Sequence, residues 1–131
     1  MKMRRFVTLA LMVLFSGITP AGAKETNMVV EYIRYEVPAA QHDEFVAAYR
    51  SAGHELQASG HCLSYEISEG VEEPDNFTVR IEWDSLEGHE NGFRTSPQFA
   101  PFFAKVKPFF ADIREMKHYR VTVQGKGSAG K

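Results

Sequence analysis

The chain has 131 residues, 44% of them hydrophobic, with 15 Lys and Arg against 17 Asp and Glu. That length builds one compact core and not two, and the slightly acidic balance supplies no electrostatic reason to seek nucleic acid or anionic lipid. The single cysteine, Cys62, excludes an intramolecular disulfide and the thiol-rich zinc patterns.

Lys2, Arg4 and Arg5 precede an apolar run from Phe6 to Ile18, and Ala21-Gly22-Ala23 follows. A basic start, an apolar stretch too short to span a bilayer and a small-residue cleavage site predict a secretory signal peptide over residues 1–23. The protein is then periplasmic or secreted, with no membrane contact after cleavage. Residues 24–131 keep 12 basic and all 17 acidic side chains, a formal charge of −5. A domain over 24–123 and a flexible, small-residue tail over 124–131 are expected.

Met28 to Val37 is rich in Val, Ile and Tyr and alternates Ile33, Tyr35 and Val37 with Tyr32, Arg34 and Glu36, which predicts a strand closed by Pro38. From Ala39 to Ser59 the period becomes helical, with Phe45, Ala48, Tyr49, Ala52 and Leu56 on one stripe and Gly60 as its stop. His61 to Ser68 alternates again, with Leu63, Tyr65 and Ile67 on one face and Cys62, Ser64 and Glu66 on the other. Gly70, Pro74 and Asp75 mark a hairpin loop. Phe77, Val79, Ile81 and Trp83 then alternate with Thr78, Arg80 and Glu82 as a third strand.

Asp84 suits a helix N-cap, with Glu87 at the capping-box position, for a short helix to about Thr95 weakened by Gly88 and Gly92. Ser96-Pro97 opens a Phe-rich helix that Pro101 and Pro108 should kink or interrupt. A last strand is expected from about Glu115 to Val123, with Met116, His118 and Arg120 on one face. The order β-α-β-β-α-β predicts an α+β, ferredoxin-like domain: an antiparallel sheet with both helices on one face. The other face, holding mixed side chains, is expected to meet a second copy of the chain.

The stretch Phe77-Thr-Val-Arg-Ile-Glu-Trp-Asp-Ser85 resembles the third strand of the antibiotic biosynthesis monooxygenase family, in which an acidic residue stands shortly before a terminal tryptophan. The likeness continues through His89, Phe93, Ser96-Pro97-Gln98-Phe99, Phe103, Val106 and Pro108-Phe109 to Met116-Lys-His-Tyr119, and so covers roughly residues 28–123. It implies a homodimer, a dimeric α+β barrel. It further implies a small aromatic or quinol-like substrate, bound between sheet and helices and oxygenated by O2 without metal, flavin or other cofactor. Two departures stand out. The family's helix histidine falls near Phe93, so His89 would replace it from the preceding turn. The heme-degrading members pair the tryptophan and histidine with a first-strand asparagine, whereas here Asn27 only precedes that strand.

Four residues are candidates for the site. His89 is the first choice for a base or orienter, because histidine titrates near neutrality; a solvent-facing helix histidine is the alternative. Trp83 can stack on an aromatic ligand or anchor the core. Arg80 can hold a substrate oxyanion, or pair with Glu82 and Glu66 across strands. His118 lines the interior or a dimer contact. Adjacent strand residues face opposite ways, so His61 is not placed to activate Cys62, which reads as a small buried residue. The five histidines form no metal-binding motif, and a metal site would have to assemble from distant segments. Alternatives to oxygenation are a non-catalytic module for a hydrophobic ligand or heme, and an isomerase using the same pocket.

Overall fold

Four strands carry the architecture of the computed structural model, which describes residues 27–130: β1 (Val29–Glu36), β2 (Cys62–Glu69), β3 (Asn76–Trp83) and β4 (Ile113–Tyr119). The predicted signal peptide lies outside these residues. The sheet order is β2-β3-β1-β4 and every neighbouring pair is antiparallel. Two α-helices, α1 (His42–Ala58) and α2 (Phe99–Val106), pack on one face. This is the ferredoxin-like arrangement that the element order predicts.

The core follows from strand alternation. Val29, Ile33 and Tyr35 of β1 and Phe77, Val79, Ile81 and Trp83 of β3 point toward the helices. Phe45, Tyr49, Ala52 and Leu56 of α1 meet them at helical spacing. Phe45 sits at the centre, its ring 4.8 Å from both Tyr35 and Phe77 and 5.3 Å from Phe109. Lys105 of α2 donates to both carboxylate oxygens of Glu55, at 2.9 and 3.0 Å, tying the helices together at the rim.

Several boundaries differ from the sequence reading for identifiable reasons. In β2 the pairing steps from Cys62↔Trp83 to Ser64↔Glu82, so Leu63 is the extra residue of a bulge. Cys62 thereby packs against the core, half-buried, and Leu63 is 58% exposed. The N-cap after β3 is Ser85 rather than Asp84: Ser85 Oγ accepts the Gly88 N–H at 2.8 Å. Asp84 is engaged elsewhere, its Oδ2 lying 2.9 Å from His61 Nδ1. Pro101 sits in the first turn of α2, where no N–H is needed. Pro108 opens a 3₁₀ stretch, Lys107–Asp112, which takes over where α2 ends. β4 begins two residues earlier than expected, at Ile113, and ends at Tyr119, leaving Val121 and Val123 exposed.

Candidate active site

The site begins with one carboxylate in the wrong chemical company. Glu31 occupies the inward phase of β1 between Val29 and Ile33 and is 3% exposed. A buried carboxylate demands partners, and the sheet supplies them by register. Glu31 stands opposite Ile81 on one side and His118 on the other. Trp83, at the end of β3, donates its indole Nε1–H to Glu31 Oε2 at 2.9 Å.

His89 arrives from the segment after β3. The cap at Ser85 starts a helical turn, which widens over Gly88–Phe93 into a π-helix closed by the Arg94 N–H donating to the His89 carbonyl at 3.1 Å. Such widened turns recur at functional sites. A Cβ at Gly92 would meet the His61 ring, which would then have to move. The turn presents His89 and Phe93 on one face, and the imidazole lies flat on the Trp83 indole, centroids 4.3 Å apart and planes 10° apart. His89 Nδ1 is 2.7 Å from His118 Nε2, and His89 Nε2 is 3.6 Å from Glu31 Oε2.

Burial raises the Glu31 carboxyl above its ordinary range, against the opposing pull of the Trp83 hydrogen bond and the Arg94 charge. Burial pulls the His89 imidazole down to about 3, helped by Arg94 and His118. His89 is therefore neutral at physiological pH, and its contact with Glu31 is not an ion pair. His118 is lowered as well, chiefly by burial.

Glu31, Trp83, His89 and Arg94, but not His118, border a cavity of about 230 Å³ between sheet and helices. Its polar end is made by Glu31, Trp83, His89 and Arg94, and its walls by Phe93, Phe99, Phe102, Phe103, Ile33 and Met116. Tyr35 and Tyr49 reach it elsewhere, their hydroxyls 2.6 Å apart. Burial pushes the Tyr35 hydroxyl up to about 12 and Tyr49 well above its usual range, so both remain protonated. One hydroxyl hydrogen serves the pair, so the second is not used between them.

The fold thus gathers three of the four candidate residues, Trp83, His89 and His118. Arg80 stands on the opposite face of the sheet. Its Nη2 pairs with Glu82 Oε1 at 2.6 Å and its Nε–H donates to the Tyr32 hydroxyl at 3.3 Å. Two members were missed by sequence reasoning, Glu31 and Arg94. A signal for Glu31 existed: a carboxylate in the apolar phase of an otherwise alternating strand. Cys62 is half-buried, and desolvation drives its thiol up to about 11, which makes it a poor nucleophile.

Glu31, His89 and His118 also place one possible ligand atom each within 4.8 Å of one another. Two histidines and a carboxylate are a familiar set for divalent iron, and here they do come from distant segments. Yet His89 offers Nδ1 to His118 and Nε2 toward Glu31. As the side chains stand, His89 Nδ1 is within hydrogen-bond distance of His118 Nε2, whereas His89 Nε2 lies 3.6 Å from Glu31 Oε2, and an ion at the trio would take one nitrogen of His89 and break the contact between the two imidazoles or open that toward Glu31.

The antibiotic biosynthesis monooxygenase family model matches residues 28–105. The Bacillus subtilis protein YczJ, itself uncharacterised, is 25% identical over 93 residues, which is 71% of this chain and 98% of that one. A solved protein of Bordetella bronchiseptica superposes with a TM-score of 0.66 at 21% identity, covering 73% of this chain and 98% of its own. One from Chloroflexus aurantiacus gives 0.60 at 24% identity, covering 76% and 97%. At such identities the two structures speak for the fold, which is the one described above. With the family model spanning both the sheet strands β1 to β3 and the segment that carries His89, the chain belongs to the antibiotic biosynthesis monooxygenase family.

Proposed function

We propose that the protein oxygenates a small phenol or quinol in this cavity, using O2 and no bound cofactor, after export to the periplasm or beyond. The observation that carries the reading is the single carboxylate, Glu31, buried at one end of an aromatic-walled cavity with its pKa raised. A base whose pKa is moved toward that of a phenol is the better matched to take its proton. Glu31 is then the base and His89, neutral and held flat on Trp83, the orienter.

The chemistry balances without an added reductant. A phenol with a free para position and one O2 gives the para-quinone and one water. One oxygen atom stays on the ring. The other leaves as water with the phenolic proton and the displaced ring hydrogen. The phenolate formed on deprotonation is electron-rich enough to reduce O2 itself. The Tyr35 and Tyr49 hydroxyls offer a donor to a second substrate oxygen, which favours phenols that carry another oxygen and keep the para position free.

Cavity size bears on the heme alternative. About 230 Å³ falls below the roughly 300–1,000 Å³ of sites for drug-sized ligands, and suits one or two fused rings better than a porphyrin. In the same reading a second copy of the chain covers the open face of the sheet, where Tyr32, Arg34, Thr78, Glu115 and Tyr119 line a shallow groove. Sedimentation equilibrium tests that part.

The deciding assay mixes the purified protein with α-naphthol, following dissolved oxygen and quinone absorbance together, with hemin titrated in parallel. The expected result is one O2 consumed per quinone formed, no hydrogen peroxide, and label from ¹⁸O2 in the quinone. A Soret band with hemin and no oxygen uptake would move the reading to a heme-binding module.

A further inference from the structure

We infer that Glu31, His89 and His118 form a proton shuttle, in which His118 stores the proton taken from the substrate and returns it to the departing oxygen. This rests on the function proposed above. The cavity wall includes Glu31 and His89 but not His118, so His118 acts through His89 and is a positioning and relay residue, not a group that touches substrate.

Three observations carry it. The three side chains are in series, because the two nitrogens of one imidazole face the two partners separately. The series runs from a carboxyl 3% exposed, through a ring 4% exposed, to a half-buried residue on β4, an edge strand. Finally, the two gaps differ. The His89 Nδ1 to His118 Nε2 distance of 2.7 Å is a hydrogen bond, whereas 3.6 Å between His89 Nε2 and Glu31 Oε2 is beyond one. A hydrogen on Nε2 would be drawn onto the carboxylate. The ring hydrogen therefore belongs on Nδ1, donated to His118 Nε2, and Nε2 is bare.

That tautomer is the one a shuttle needs. Once Glu31 takes the phenolic proton, its new O–H has a bare nitrogen to close upon. His89 accepts at Nε2 and releases its Nδ1 hydrogen to His118, which becomes an imidazolium. The groups facing that imidazolium are Glu90 and Arg94, from the π-helix and just beyond it, and Glu31 of β1. Glu90 stabilises the charge, while Arg94 and burial oppose it, so the proton is held briefly and given back. On return it completes the product water, both imidazoles recover their starting tautomers, and no proton is gained or lost.

Long-range ¹⁵N–¹H correlation spectra of the resting protein test the tautomer without any turnover. Hydrogen on Nδ1 of His89 is expected, and hydrogen on Nε2 would overturn the shuttle even if α-naphthol is consumed. With α-naphthol as substrate, His118→Gln keeps a hydrogen bond to His89 but cannot pass a proton. We expect kcat to fall about 10- to 100-fold, up to the lower end of direct general acid–base contributions because His118 acts through His89, with KM unchanged. Added imidazole should restore part of the rate in His118→Ala. A wild-type kcat in His118→Gln would overturn the shuttle and leave His118 as a prop for His89. Failure of the wild type to consume α-naphthol would instead count against the function, with the tautomer still deciding the shuttle.

Discussion

The two faces of one sheet carry two polar clusters built from similar residue types, and they do opposite things. On the open face Arg80, Glu82 and Tyr32 pair with one another within reach of water, as do Arg34 and Glu115 at 3.9 Å. On the helix-covered face Glu31, Trp83 and His89 make their contacts where they are buried, with half-buried His118 at the edge. Exposed pairs contribute about 0–1 kcal/mol because water competes for both partners. Buried polar groups cost several times that if a partner is lost. An arrangement so costly to keep is better explained by chemistry than by stability, and burial, not residue type, separates the two clusters.

Removing Trp83 should show the contrast most strongly. Trp83→Ala deletes a fully buried ring and strips Glu31 of its donor, so a loss of about 3–5 kcal/mol is expected in urea denaturation. A smaller loss than from an ordinary exposed substitution would mean the indole is not the anchor described. Next comes Glu31→Gln, which keeps an acceptor for the indole but removes the base. Oxygen uptake with α-naphthol should drop about 100-fold or more while the melting temperature stays near wild type; unchanged uptake would remove Glu31 from the mechanism.

A pH series sharpens the same comparison. The folded His89 titrates near 3, below the ordinary value of 6.5, so between those pH values the unfolded chain binds more protons. Its contribution is therefore full above 6.5 and is lost as pH falls toward 3, with a slope of up to about 1.4 kcal/mol per pH unit. His89→Gln should flatten that stretch of the stability curve, measured by urea midpoints at successive pH values. The smallest effect is expected at Arg80. Arg80→Ala should cost about 0.5 kcal/mol and leave α-naphthol oxidation at the wild-type rate. A large rate loss would show that the open face takes part after all.

The fold was legible because alternation and breakers agreed along the chain. Pro38, Gly60 and the Gly70–Asp75 loop separate segments whose apolar periods change cleanly. Local hydrogen bonding was less readable. Asp84 and Ser85 are both good caps, and only the nearness of His61, brought by β2, decides between them. Leu63 looked inward until a bulge turned it out. Within the site, Trp83, His89 and His118 stood out as residue types. Glu31 did not, although it breaks the apolar phase of a strand whose other charged side chains, Arg34 and Glu36, keep to the exposed phase. The alternation marks it as out of place, but its partner stands 52 residues away, and the local pattern does not name that partner.

The indole beneath His89 has one more consequence. Trp83 is the chain's single tryptophan, so all of the protein's tryptophan emission comes from this cavity wall. A ring stacked on it at 4.3 Å and a carboxylate on its Nε1–H make the emission sensitive to what enters and to where a proton sits. The molecule reports its own occupancy optically, and any candidate compound can be screened by the light it quenches, with no label attached.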